Sequence, residues 1–142
     1  GEYVENVKKR SINQIDMLHK EITDRIIACF YKVYTNLGYG FLEKVYENAM
    51  LIELNKNGLK AISQYPIKVN YDGVSVGEYF ADIIVEDKVI IELKASANLV
   101  PENILQLQNY LKATNIEVGL LLNFGKKPEI RRKTFHNNLK SF

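Results

Sequence analysis

Three charged residues stand among Ile, Val, Leu and Ala in two consecutive predicted strands. Glu92 and Lys94 stand two apart within a predicted strand, 89–94, so the two-residue repeat of a strand places both side chains on one face. Asp82 belongs to the preceding predicted strand, and a turn at 86–88 would pair position 82 with position 92. Because directly opposed residues share a face, the pattern brings two carboxylates and one ammonium group together.

This trio predicts a metal site that acts on phosphate esters. Facing carboxylates repel each other unless a cation or a shared proton separates them. Mg²⁺ prefers oxygen ligands, often one or two carboxylates with water and substrate phosphate. We therefore expect Asp82 and Glu92 to bind Mg²⁺, for which Mn²⁺ would substitute, and Lys94 to orient a nucleophile or stabilise charge developing on phosphate. The alternative is a salt bridge between strands, in which Lys94 only neutralises an acid.

Two helices are predicted ahead of the strands that carry these residues. Apolar residues recur three or four positions apart over 12–37 and again over about 41–57, which is the periodicity of an amphipathic helix. The Gly-Tyr-Gly sequence at 38–40 separates the two helices. Cys29 falls on the apolar stripe of the first helix, so we expect it to be buried.

A β-hairpin is predicted next. Apolar and polar residues alternate over 64–71, and Asp72-Gly73 is a strong turn signal before a second strand over 74–85. Gly77 predicts a bend or bulge in that strand. The continuous apolar character of 89–94 is typical of a strand that is covered on both faces.

The remaining elements predict an α/β fold with a mixed sheet. Pro101 suits the first turn of a helix that runs to about Ala113. The apolar segment 118–124 follows as a buried strand, and the helix is long enough to connect two parallel strands by a right-handed crossover. After one extra N-terminal helix, the core order is α-β-β-β-α-β. A basic C-terminal tail comes last, which we expect to be helical.

The length and charge of the chain favour one domain that binds a polyanion. A chain of 142 residues fits a single domain, 1–142. Residues 126–142 hold six Lys and Arg against one acidic residue, although the net charge of the whole chain is only +2. A basic end on an acidic body could hold nucleic acid near a carboxylate site; the alternative is a solvated terminal helix. The candidate contacts are Lys126, Lys127, Arg131, Arg132 and Lys133.

The sequence favours a cytoplasmic protein. It has no apolar run of roughly 18 residues, the length that a membrane helix needs, and no charged-then-apolar leader. Its single cysteine cannot form an internal disulfide. We therefore expect no membrane association.

Several motifs resemble one nuclease superfamily. Asp82, nine intervening residues and then Glu92-Leu93-Lys94 resemble the D…ExK signature of PD-(D/E)XK nucleases, and the predicted element order resembles their restriction-endonuclease-like core. The segment from Gly40 to Tyr46 is similar to the motif that names the GxxExxY family, a branch of this superfamily. The similarity covers about 34–125.

The resemblance implies roles for individual residues. Asp82 and Glu92 would be metal ligands, with the carbonyl of Leu93 also facing the metal, and Lys94 would be the catalytic lysine. Glu43 would be the accessory acid, which binds the ion through water or serves a second metal. Its alternative role is a first-turn acid favoured by the helix dipole. Within the same motif we favour a core position for Tyr46.

A second pair lies on the predicted crossover helix. Gln106 and Tyr110 are four residues apart, so both can face the site. They resemble the QxxxY motif of exonuclease branches, whose members contact metal-bound water or nucleic acid. The alternative is an amphipathic helix with a core tyrosine and a glutamine at its edge. Related sequences often have histidine where Asn103 stands, so no acid-base role carries over to that position.

The function that follows is a Mg²⁺-dependent nuclease acting on DNA through metal-activated water. No Ser-His or Cys-His arrangement competes with it. One alternative is a catalytically weak or inactive nuclease-like module that binds nucleic acid or a protein partner. Another is a subunit of a repair or defence complex. A small nuclease often extends its binding surface by dimerising, so we also expect a homodimer.

Overall fold

Two helices precede the sheet in a computed structural model that describes residues 18–140. Helix α1 spans Lys20–Leu37 and helix α2 spans Glu43–Lys56. Both predicted helices are confirmed, although the predicted segment 12–17 of the first lies outside the described residues. Gly38 and Gly40 separate them with φ angles of 68° and 107°, which glycine adopts at little cost. None of the helices within 18–140 has the length and apolar character needed to cross a membrane.

A long hairpin follows the helices. Strand β1 (Ala61–Tyr71) pairs antiparallel with β2 (Val74–Val85). Asp72 and Gly73 have φ angles of 51° and 76°, as a two-residue hairpin turn requires. The pairing shifts by one residue directly beside Gly77, so the predicted bulge is confirmed there.

The crossover unit agrees with its prediction. Strand β3 (Val89–Lys94) is followed by helix α3 (Pro101–Ala113) and strand β4 (Val118–Phe124). Strands β3 and β4 are parallel neighbours, with Lys94 opposite Asn123. The carboxyl ends of both strands therefore meet at one edge of the sheet, which we call the carboxyl edge.

The predicted helical tail is wrong, because its central part is a strand. Strand β5 (Pro128–Thr134) pairs antiparallel with β4 along its whole length, and a short 3-10 turn follows at Asn137–Leu139. Ile130 packs against the core from this strand. Pairing with β4 and this contact override the helical preference of the charged residues.

The five strands lie in the order β1-β2-β3-β4-β5, between two layers of helices. Helices α1 and α2 pack on one face, around Phe30, Tyr46 and Phe124. Helix α3 packs on the other face through Leu107 and Leu111. The sheet is thus covered on both faces, as the continuous apolar strands predict, and Cys29 is buried on the inner face of α1 as expected.

A buried amide holds the loop that follows β3. The Asn123 side chain is fully buried, accepts a hydrogen bond from Ser96 N at 3.0 Å and donates to Ser96 O at 2.9 Å. A Cβ on Gly125 would lie 2.4 Å from Ser96 O, so only glycine fits beside this loop. The carboxyl edge is therefore held in place where Lys94 ends its strand.

Candidate active site

Asp82 and Glu92 are joined across strands β2 and β3. The pairs Ile83 with Ile91 and Val85 with Val89 confirm the predicted register, but the ladder stops before position 82. There the amide of Asp82 donates to Glu92 Oε1 at 2.9 Å, and the amide of Leu93 donates to Asp82 Oδ2 at 2.7 Å. Each carboxylate is thus held by the main chain of the opposite strand.

An irregularity in strand β1 faces Asp82. Ser63 pairs with Ile83 and Tyr65 pairs with Ala81, while the intervening Gln64 has a φ of +57°. A positive φ is uncommon for a non-glycine residue. The ladder is interrupted at the position across from Asp82, on both of its neighbouring strands.

A small cavity opens beside Asp82 on the α2 side of the sheet. Its volume is about 270 Å³. One wall is the first turns of α2, and the floor is formed where the strand ladder is interrupted, at Gln64, Asp82 and Leu93. The cavity brings the predicted Asp82, Leu93 and Glu43 together, and its remaining lining residues are Lys44, Glu47 and Gln64.

Three of these lining residues, Lys44, Glu47 and Gln64, were not expected from the sequence. Glu47 is 4% exposed, and its Oε1 accepts a hydrogen bond from Gln64 Nε2 at 2.9 Å. Its Oε2 forms an ion pair with Lys44. A usable signal existed for Glu47, because it lies four residues after Glu43 and so shares its helix face. No sequence signal marks Gln64, which is placed by the irregularity in β1.

The electrostatic setting disfavours two ionised carboxylates. Burial raises the pKa of Asp82 to about 6, with the charges of Glu47 and Glu43 adding to the rise. Burial also raises the pKa of Glu92 to about 8, with the charge of Asp82 adding to it. Lys94 opposes both shifts. Because a nearby cation would favour the ionised forms, the site is electrostatically suited to one.

Lys94 lies at the carboxyl edge beside α2. Its Nζ is 3.9 Å from Glu43 Oε1, and the Lys94 side chain is 27% exposed. Glu43 is the first residue of α2, where the helix dipole favours a negative charge. Glu43 is therefore both an acid in the first turn of α2 and a neighbour of Lys94 at the predicted site.

Gln106 and Tyr110 are joined on the opposite face. Gln106 Nε2 donates to the Tyr110 hydroxyl at 2.9 Å, and Tyr110 is 6% exposed. Burial raises the pKa of Tyr110 to about 12, and the negative charges of Glu92 and Asp82 contribute to this rise. Tyr110 is thus within electrostatic reach of both carboxylates, with Gln106 holding its hydroxyl.

Asp82 and Glu92 offer carboxylate oxygens, the type of ligand that a hard divalent cation prefers. Asp82 Oδ1 and Glu92 Oε2 accept no hydrogen bond from residues 18–140, whereas the other oxygen of each is held by an amide. No group of three or more His, Cys, Asp and Glu side chains within that range is placed to enclose a metal ion. Two carboxylates with water completing the shell suit Mg²⁺. The parts of Glu43 and the Leu93 carbonyl stay predictions.

The segment similar to the GxxExxY motif is organised around Tyr46. Tyr46 is fully buried, and its hydroxyl donates to Gly38 O at 2.8 Å and accepts from Phe41 N at 3.2 Å. This tyrosine therefore ties down the loop that leads to Glu43, which agrees with the core position we favoured. Membership of that branch stays a prediction.

Asn103 also has a structural contact. Its Oδ1 accepts a hydrogen bond from the amide of Val100 at 3.1 Å, at the start of α3. This bond satisfies an amide at the helix N-terminus.

The five predicted basic contacts separate into different locations. Lys126 and Lys127 are exposed in the turn after β4, and this turn lies at the carboxyl edge. Lys133 pairs with Gly119, four residues before Asn123 on β4. It therefore lies roughly 13 Å from Asn123 at the carboxyl edge, at about 3.3 Å per residue. Arg131 is exposed and lies 3.6 Å from Glu129 Oε2.

Arg132 joins β5 to the beginning of α1. Its guanidinium donates to Leu18 O at 2.6 Å and to Thr23 Oγ1 at 3.1 Å. These bonds give Arg132 a structural role, whatever part it has in binding nucleic acid.

Comparisons with known proteins agree on the fold. A family model of the PD-(D/E)XK nuclease superfamily matches residues 20–133. The crystal structure of an alkaline exonuclease, LHK-Exo, from Laribacter hongkongensis is similar with a TM-score of 0.50 and 14% identity, over 68% of this chain and 57% of that one. The crystal structure of SSO0001 is similar with a TM-score of 0.52 and 19% identity, over 87% of this chain and 62% of that one.

This chain therefore spans about three fifths of the length of both solved proteins. At such identities the likeness shows the fold alone. No curated protein matches the sequence.

Proposed function

We propose that this chain, which belongs to the PD-(D/E)XK nuclease superfamily, hydrolyses phosphodiester bonds in DNA with Mg²⁺ as its cofactor. The observation that carries the proposal is the pairing of Asp82 with Glu92. Each carboxylate has one oxygen held by an amide of the opposite strand and one oxygen without a hydrogen bond from residues 18–140. The free oxygens are the groups that would hold the ion.

The residues around the ion would have separate tasks. A bound Mg²⁺ supplies Lewis acidity and lowers the pKa of water for attack on phosphorus. Lys94 would stabilise the negative charge that grows on the phosphate oxygens. Glu43, 3.9 Å from Lys94, would orient the ammonium group. The Tyr110 hydroxyl, held by Gln106, would donate a hydrogen bond at the α3 side of the site.

Metal binding and cleavage should be measured separately. Calorimetry with Mn²⁺ should detect binding to the parent protein that is largely lost in Asp82→Ala and in Glu92→Ala, because each change removes one of two carboxylate ligands. Asp87→Ala is a matched control, since Asp87 lies in the β2–β3 turn of the same strands and, among residues 18–140, its side chain pairs with Lys60 alone. Equal affinity in all four proteins would reject the site.

Cleavage should be assayed with Mg²⁺ or Mn²⁺ on linear, circular, branched and single-stranded DNA. Activity that disappears with EDTA and in Asp82→Ala supports the proposal. Metal binding without cleavage of any of these substrates would instead favour a nuclease-like binding module. RNA of matched sequence belongs in the same assay, because cleavage of RNA alone would contradict the assignment to DNA.

A further inference from the structure

A second and larger cavity lies between the β1–β2 hairpin and helix α3. Its volume is about 1040 Å³, above the roughly 300–1,000 Å³ of pockets that enclose a drug-sized ligand. The hairpin can form a wall because it extends past β3, which pairs with β2 only over 83–85. We call this cavity the hairpin–helix groove, and the lining residues that matter here are Lys68, Tyr79, Gln106, Asn109, Tyr110 and Lys112.

Helix α3 links the hairpin–helix groove to the strands that carry Asp82 and Glu92. Gln106 and Tyr110 line it and are bonded to each other at 2.9 Å. Tyr110 packs in the same core cluster as Ile90 and Ile84, which lie two positions from Glu92 and Asp82 on their strands. Tyr110 therefore connects the groove, through this core cluster, with the strands that carry the two carboxylates.

An aromatic ring is exposed in the hairpin–helix groove. Tyr79 on β2 is 50% exposed, and its ring centre lies 5.9 Å from that of Tyr110 at a tilt of 43°. One side of Tyr79 is thus supported by a buried aromatic neighbour while half of its surface stays open. A supported but open ring is the arrangement on which single-strand binding proteins stack nucleobases.

The polar groups of the hairpin–helix groove are available to a ligand. Lys68 and Lys112 are exposed, and neither forms an ion pair or side-chain hydrogen bond with any residue of 18–140. The same holds for the amide of Asn109. Ammonium groups bind phosphates, and side-chain amides bind the edges of bases that are not paired. The lining therefore offers an aromatic ring for stacking, ammonium groups for phosphates and an amide for a base edge.

The charge in the hairpin–helix groove is balanced. Asp72 and Glu102 line it along with the two lysines, so the net formal charge of the lining is zero. Binding there would depend on stacking and amide contacts more than on counterion release. A duplex keeps its base faces stacked on one another, so it could not use Tyr79 in this way.

We propose that the hairpin–helix groove binds a single-stranded segment of nucleic acid that continues from the scissile phosphate, with Tyr79 stacking on an unpaired base. Lys68 and Lys112 contact its phosphates, and Asn109 contacts a base edge. The proposal rests on the proposed nuclease function for the identity of the ligand. It adds a preference for substrates with an unpaired strand beside the cleavage site.

The test measures binding without cleavage. Fluorescence anisotropy in EDTA should compare a labelled oligothymidine of about 12 nucleotides, within the site sizes of single-strand binding folds, with a duplex of the same length. Tyr79→Ala should weaken single-strand binding about 5- to 150-fold, the range measured for removal of a stacking aromatic, and Tyr79→Phe should restore it. The salt dependence should be nearly the same in Tyr79→Ala and in the parent. Tyr31→Ala is the matched control, because Tyr31 is similarly exposed, at 46%, but lies on α1.

Crosslinking keeps the test decisive if Tyr79→Ala does not fold. An oligonucleotide with 5-iodouracil, irradiated on the parent protein, should form adducts at Tyr79 that mass spectrometry locates. Adducts confined to residues outside the groove, equal losses in Tyr31→Ala, or tighter binding of duplex would overturn the proposal. Tyr79-dependent binding by a protein that cleaves nothing would refute the nuclease function and leave the groove standing. Cleavage of single-stranded substrate that is unchanged by Tyr79→Ala would refute binding in the groove and leave the nuclease function standing.

Discussion

The main-chain amide of Asp82 donates a 2.9 Å hydrogen bond to Oε1 of Glu92, at the point where the ladder between β2 and β3 ends. A side-chain carboxylate thus takes the place of a main-chain acceptor where the β2–β3 ladder stops. It holds two buried acids together in a setting that raises the pKa of both. Such a destabilised arrangement is typical of functional sites, where binding a ligand provides the compensating free energy.

Removing one of these charges should stabilise the metal-free protein. Glu92 is 6% exposed, and burial together with Asp82 raises its pKa from 4.5 to about 8. The glutamine side chain of Glu92→Gln carries no charge but keeps an oxygen that can accept the hydrogen bond from the Asp82 amide. We expect its free energy of unfolding at pH 8, measured by urea titration in EDTA, to exceed that of the parent by on the order of 4 kcal/mol.

The pH dependence of this gain has a defined sign. Between pH 4.5 and about 8 the unfolded chain releases a proton that the folded parent retains, so the parent loses stability as pH rises through that window. The difference between Glu92→Gln and the parent should therefore be small below pH 4.5 and largest above pH 8. A difference that shrinks with rising pH would contradict the raised pKa.

Lys94→Ala should lose cleavage while keeping fold and metal binding. The ammonium group is proposed to stabilise charge that exists only in the transition state, so its loss should lower kcat about 10²- to 10³-fold. Mn²⁺ affinity and the urea midpoint should change little. Lys60→Ala is the control, because Lys60 forms an exposed pair with Asp87. Normal turnover in Lys94→Ala would favour the salt-bridge alternative.

The two lysines at the carboxyl edge should account for much of the salt dependence of DNA binding. Replacing both Lys126 and Lys127 by Ala removes two phosphate contacts, so the slope of log K against log salt should flatten by about 1.4 for single strands or 1.8 for duplex. Turnover at saturating substrate should stay near that of the parent. Lys133→Ala, farther from this edge, should change the slope less. Equal slopes in every variant would place the phosphates elsewhere.

Arg132 calls for a separate measurement from its basic neighbours. Its hydrogen bonds to Leu18 O and Thr23 Oγ1 join β5 to α1, so Arg132→Ala should lower the free energy of unfolding by about 1.5–3 kcal/mol. Arg131→Ala should cost less than about 0.5 kcal/mol, because Arg131 is exposed. Replacing 131–133 together would therefore mix a stability loss with any change in DNA affinity. Equal stability of the two single variants would contradict the structural role.

Tyr46→Phe should loosen the loop before Glu43. The change removes the hydroxyl that donates to Gly38 O and accepts from Phe41 N, at an expected cost of about 1–2 kcal/mol in the free energy of unfolding. Hydrogen exchange of the Phe41 amide should accelerate at the same time. Tyr31→Phe should change neither quantity, because no hydrogen bond is formed by the Tyr31 hydroxyl with residues 18–140. Unchanged exchange of the Phe41 amide in Tyr46→Phe would show that the Tyr46 hydroxyl does not hold this loop.

The sequence by itself determined the elements whose signals are local. Pro101 begins α3 and Asp72-Gly73 forms the hairpin turn, because their backbone preferences do not depend on distant residues. The three-residue turn at 86–88 likewise set the register that brings Asp82 next to Glu92. Strand periodicity and that register predicted that these two acids and Lys94 lie together, whereas their catalytic and metal-binding roles rest also on the family resemblance and stay predictions.

Only the tertiary structure decided the features that depend on contacts between distant segments. The basic tail forms β5 because the open edge of β4 accepts it, and no periodicity within 126–142 records that partner. Gln64 reaches Glu47 because the ladder is interrupted opposite Asp82. The Tyr79 ring is exposed in a groove because the β1–β2 hairpin extends past the end of β3 and lies beside α3. Local preference is short-ranged, whereas burial, pairing and pKa depend on which segments fold against each other.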